Sequence, residues 1–173
     1  MWSDKSFSLT RREARTTKPF EQVVAAIEAQ APVVVPEANH VLLGNDTIDA
    51  IAAGRLGSDA LRRQVESRLG RSGFMLLMKV EHDLLMGDLG RKHRSVQYAI
   101  GNPLIAKDVS DAAAKVCLYT PLRLAVLQDE SDGSTWVLSD DPENLMGSFD
   151  SAAAQKIGNS LNQRIAKLLE AAI

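Results

Sequence analysis

The sequence predicts an α+β fold: an antiparallel sheet with helices gathered on one face. Two observations carry this. Apolar stretches with strand-like alternation follow the order strand, helix, strand, strand, strand, strand, helix. The last two strands are joined by "SDGS" at 131–134. An Asp-Gly turn of this kind joins antiparallel neighbours, because parallel strands need a long crossover.

The elements follow in order. Residues 7–16 read as a first strand in which Phe7 and Leu9 alternate with polar residues, while Arg11 and Glu13 break the apolar face as an edge strand allows. Pro19 suits a helix start, where its missing N–H has no partner to lose. Phe20, Val23, Val24 and Ile27 then recur at helical spacing, and Pro32 ends the run. Residues from about 32 to 57 read as an insertion of small pieces, with a strand at 33–35 and a short helix ending at Gly54. Ser58 opens the next helix and Gly70 stops it.

"GFMLLMKVEHDL" is a strand, "GDLGRKHR" a polar turn and "SVQYAI" the following strand. Gly101-Asn102-Pro103 then stops that strand. Pro103 has no N–H for a ladder, Gly101 bends freely, and Asn102 before Pro103 forms an N-cap and first-turn pair. A short helix capped by Ser110 is expected over 110–117. Leu122, Leu124 and Val126 alternate along the next strand, and "TWVLSD" is its hairpin partner. Residues 141–147 form a helical turn. Asp150 or Ser151 opens the last helix, which carries Ala154, Ile157, Leu161, Ile165, Leu168 and Ala172 on one narrow stripe. Gly158 in that helix is expected to let it pack closely on the sheet.

The totals fit one domain spanning 1–173. Of 173 residues, 45% are hydrophobic and 24% charged, and the net charge is −2; this balance argues against a nucleic-acid role. The single cysteine, Cys117, excludes an internal disulfide, and between Val116 and Leu118 it reads as a buried thiol. No apolar run approaches the roughly 20 residues of a membrane span, and "MWSDKSFSL" has no signal-peptide core. The expectation is a soluble cytoplasmic protein without membrane association.

"GNPLIAKDV", followed by "TPLRLAVLQDESDGSTWVLSDDPENLM", resembles the domain of unknown function 302 family. Its members carry Gly-Asn-Pro before a small apolar helix, then a Leu-Pro-like turn and a strand ending in an acidic residue. A Gly hairpin, a strand and an Asp-Pro follow. The matching residues here are Gly101, Asn102, Pro103, Pro121, Asp129, Gly133, Asp141 and Pro142. Where one branch ends its second strand in Asp-His, this chain has Glu81-His82. The resemblance covers residues 72–147 well and the first strand and helix loosely; the stretch at 32–57 stands outside it. It implies a TATA-binding-protein-like β-α-β4-α arrangement, often dimeric, and supplies no established activity.

Three residues are candidate ligand contacts. Asn102 offers an amide at the elbow. His82 ends an apolar strand. Arg123 lies opposite the core-facing Leu122 and Leu124 and so points from the other sheet face, where it suits a small anionic molecule. Met75, Met78, Met86, His82 and Cys117 show no metal or haem ligand spacing, and no cofactor is expected. No Walker loop, dinucleotide fingerprint or Gly-x-Ser-x-Gly elbow occurs.

The expected function is a non-catalytic small-molecule-binding or sensing homodimer. The alternatives are an enzyme using His82 as acid or base, and a scaffold acting through the inserted segment and its apolar Val41, Leu42 and Leu43. If Asn102 only caps a helix, Asn102→Asp should be almost neutral.

Overall fold

The computed structural model describes residues 2–33, 58–83 and 93–173. Apart from its first two positions, the insertion expected at 32–57 lies outside the described residues, and so do Met86 and most of the 87–94 turn. The elements are β1 (Arg11–Thr16), α1 (Phe20–Gln30), α2 (Ser58–Glu66), β2 (Met75–Glu81), β3 (His93–Gly101), α3 (Pro103–Ala112), a 3-10 helix (Ala114–Tyr119), β4 (Leu122–Asp129), β5 (Thr135–Asp140), α4 (Pro142–Gly147) and α5 (Ala152–Ala172). With the short helices set aside, the order is β-α-β4-α.

The five strands form one antiparallel sheet in the order β1-β5-β4-β3-β2. β1 is therefore an edge strand, which accounts for its charged residues. It begins only at Arg11; Phe7 and Leu9, expected within it, stay well exposed. The β4–β5 connection closes with Gly133 at φ 72°, and its N–H donates to Asp129 O at 2.7 Å. A positive φ of this size is why the turn carries glycine.

Strand alternation sends Leu122, Leu124 and Val126 of β4, Val96, Tyr98 and Ile100 of β3, and Val137 of β5 to one face. Phe20, Val23 and Ile27 of α1 and Ala154, Leu161, Ile165 and Leu168 of α5 pack on that face to form the main core. A smaller cluster sits on the opposite face, where Val65 of α2 meets Met75, Leu77 and Ala99. A bulge between Leu76 and Met78 permits this: one extra residue in β2 keeps Leu77 and Met78 on the same side.

Three local expectations are corrected. Ser110 does not cap a helix at 110–117; α3 starts at Pro103, carries Ser110 in its last turn and ends at Ala112, and the 3-10 helix follows. The apolar run after Pro103 lets Val109 reach the core, so the helix forms where that face is available. Cys117 is exposed, because the 3-10 helix buries Val116 and turns its neighbours outward. Gly158 packs against α4 rather than the sheet: a Cβ there would lie 2.5 Å from Pro142 O and 2.7 Å from Glu143 Cα.

Asp141 joins four parts of the fold. Its N–H donates to Thr10 O at 2.8 Å. One carboxylate oxygen accepts from Asn144 N–H and Asn162 Nδ2, each at 3.0 Å, and the other from Arg12 Nη2 at 2.6 Å. Burial alone would raise the Asp141 pKa, but the bonds from Asn162, Asn144 and Arg12 outweigh it and hold the carboxyl below its usual value.

Two predictions follow from this packing. Leu161→Ala should destabilise by about 2–5 kcal/mol, read in urea melts; a near-neutral effect would refute the buried face of α5. A depressed carboxyl contributes stability above its unfolded-state pKa and loses it as pH falls through the folded one. Wild type should therefore lose more stability between neutral and acidic pH than Asp141→Asn. Parallel acid limbs for the two proteins would remove Asp141 from the pH dependence.

Candidate functional site

The elbow at Gly101-Asn102-Pro103 forms because β3 runs out of ladder partners where α3 begins. Gly101 pairs with Met75, and Ile100 with Leu122; Pro103 then has no N–H to extend the sheet. Asn102, 9% exposed, caps α3: its Oδ1 accepts from Leu104 N–H at 2.9 Å and from Ile105 N–H at 3.5 Å. Its Nδ2 donates to Gly73 O at 2.9 Å. One side chain thus ties the end of β3, the start of α3 and the turn entering β2.

A cavity of about 140 Å³ opens beside this junction. Its walls come from Phe74, Leu77, Ile100 and Leu122, from Ile105, Ala106 and Val109 of α3, and from Leu161 of α5, with Gly101, Asn102, Pro103, Thr120 and Pro121 completing the described lining. None of the described lining residues is titratable. A cavity of about 150 Å³ holds one benzene-sized molecule. These walls are therefore suited to an uncharged, apolar guest; the Thr120 hydroxyl is the one nucleophile-type group among the described lining residues, and none of them is a base that would activate it.

The three predicted contacts do not converge. Asn102 lines the cavity, but both ends of its amide are engaged by the backbone. His82 follows Glu81 at the opposite end of the β2–β3 ladder, roughly 20 Å away at about 3.3 Å per residue. Arg123 points from the open sheet face, as expected, and its Nη2 lies 3.6 Å from Asp140 Oδ2. On the same carboxylate, Arg11 Nε is 3.9 Å from Oδ1. Arg123 and Asp140 border two further clefts, one of which shares Pro121 and Leu122 with the elbow cavity.

Sequence reasoning missed the cavity walls Phe74, Val109 and Leu161, since each reads as ordinary core and only the fold leaves space between them. It also missed a polar chain on the core side. Tyr98 Oη donates to Glu28 Oε1 at 2.7 Å, and Lys79 Nζ lies 3.0 Å from Glu28 and 2.8 Å from Glu81. Burial first, and then the Glu28 carboxylate, push the Tyr98 phenol far above its ordinary pKa. Among the described residues, no group of three or more His, Cys, Asp and Glu is placed to hold a metal ion. No helix there is long and apolar enough to cross a membrane.

The bond to Gly73 changes what Asn102→Asp should do. Asp preserves the cap and suits the helix N-terminus. It has no N–H for Gly73 O, however, and it sets a carboxylate oxygen against that carbonyl. We expect a loss of about 1–3 kcal/mol in denaturant melts; an unchanged midpoint would make the Gly73 bond irrelevant to stability.

A family model described as domain of unknown function DUF302 matches residues 54–172. The chain is also similar in structure to an uncharacterised conserved DUF302 protein from Bacillus stearothermophilus, known from a crystal structure. The TM-score is 0.63 at 15% identity, over 94% of this chain and 98% of that one. At this identity the likeness shows the fold. No curated protein matches the chain.

Proposed function

On the premise that this chain belongs to the DUF302 family of domains of unknown function, we propose that it is a non-catalytic binding or sensing domain whose ligand enters the elbow cavity. The observation that carries this reading is the lining itself: an apolar space of about 140 Å³ without a titratable side chain among its described lining residues. The ligand class is a small uncharged molecule, or the apolar end of a larger one. Asn102 acts as a wall and as the tie that holds the walls in place. The acid–base reading finds less support, since His82 lines none of the clefts described above.

The same reading includes a homodimer through the open sheet face. Leu127 and Trp136 pair across β4 and β5, Ala125 pairs with Leu138, and all four are half-buried. Arg11, Glu13 and Arg15 of β1, and Arg123, surround this apolar centre with charge of both signs. An apolar centre within a charged rim is the usual anatomy of a contact between subunits, and a second copy supplies the same pattern.

Native mass spectrometry of the purified protein reads the dimer, and thermal melting with a probe reads the cavity. The expected species is twice the 18.8 kDa chain. Benzene as a probe should raise the melting temperature of wild type but not of Ala106→Met, whose longer side chain occupies the cavity. An equal response in the two proteins, or none in wild type, would remove the ligand from the elbow. A monomer at micromolar concentration would remove the dimer.

A further inference from the structure

Another cleft, of about 360 Å³, has a chemistry opposite to that of the elbow cavity. Gln30 from the end of α1, Arg71 and Ser72 from the turn before β2, and Gln163, Arg164 and Lys167 from α5 line it, and among the described residues no carboxylate does. Three cations therefore share one concavity in a chain whose net charge is −2. Among the described residues these three make no ion pair, whereas Arg11, Arg12, Arg15, Lys79, Arg94 and Arg123 each face a carboxylate.

The three cations come from a framework that is already fixed. Ser72 N–H and Oγ both donate to Gln30 O, at 3.1 and 2.8 Å, and Phe74 N–H donates to Ser72 Oγ at 3.2 Å. This locks the turn carrying Arg71 to the end of α1. Gly73, at φ 74°, leaves room for Arg164: a Cβ there would lie 2.4 Å from Arg164 Nη1. The half-buried guanidinium thus rests on the turn instead of extending into solvent. Lys167 follows one turn later on the same helix face. Like charges held close together repel, and an anion between them relieves the repulsion.

We propose that this cleft binds the phosphoryl group of a small phosphorylated molecule. A phosphate monoester carries nearly two negative charges and three acceptor oxygens. Two guanidinium forks, one ammonium and the amides of Gln30 and Gln163 match that demand better than they match the single charge and two oxygens of a carboxylate ligand. The remaining volume accommodates a small organic portion. The site is distinct from the elbow cavity and does not depend on it.

The test is calorimetric titration and thermal shift with inorganic phosphate and with glycerol phosphate, against chloride at matched ionic strength. Wild type should show a saturable upward shift, larger for the ester. Arg71→Gln/Lys167→Gln should weaken binding about tenfold or more. Both residues are exposed, so an unchanged melt without phosphate would show that the fold is retained. Arg123→Gln should respond as wild type does. No shift beyond chloride, or an equal response in the double variant, would overturn the proposal. So would single-stranded RNA that binds more tightly than the ester with a steep salt dependence, since the patch would then serve a polyanion.

Discussion

A buried amide must find partners for both its ends, and around the elbow much of this structure depends on that requirement at Asn102. Its oxygen satisfies the first N–H groups of α3, and its nitrogen holds the carbonyl of Gly73. The direction of α3, the closing pairs of β3 and the approach of the chain to β2 are fixed together. The elbow cavity exists because those elements meet at an angle that side chains do not fill. An apolar residue at 102 would leave an orphaned carbonyl and a frayed helix start at this corner of the sheet.

The fold uses the same local device a second time with a different charge. Asp141-Pro142 starts α4 as Asn102-Pro103 starts α3. At 102 the far partner is a carbonyl, so the side chain must supply an N–H. At 141 the partners are Arg12, Asn162 and the Asn144 N–H, all donors, so a carboxylate accepts from each. Environment, not helix capping, chooses between Asn and Asp at these two positions, since both cap equally well.

Much of the fold is legible in the sequence because its periodicities are strong and its punctuation unambiguous. Leu122, Leu124 and Val126 could face only one side of a strand, and Asp132-Gly133 could only turn a hairpin. The stripe from Ala154 to Ala172 fixes the buried face of α5. Errors arose where tertiary contacts override local preference. Ser110 is a good cap in isolation, yet Pro103 nucleates the helix earlier. Gly158 announces a close approach without saying that α4 makes it. The bulge at Leu77 leaves no signature in an apolar run. The site was legible only as a corner: Gly-Asn-Pro marks where the chain turns. The cavity walls are ordinary core residues, and the cations of the basic cleft lie on two segments far apart in sequence.

The 3-10 helix that turns Cys117 outward has a practical consequence. The chain's single thiol is solvent-exposed and stands three residues before Thr120, which lines the elbow cavity. Maleimide chemistry would place one fluorophore there, at one defined address, with the sheet and both long helices left unmodified. Its emission would report events at the cavity mouth in real time, so the fold carries its own attachment point for an optical sensor.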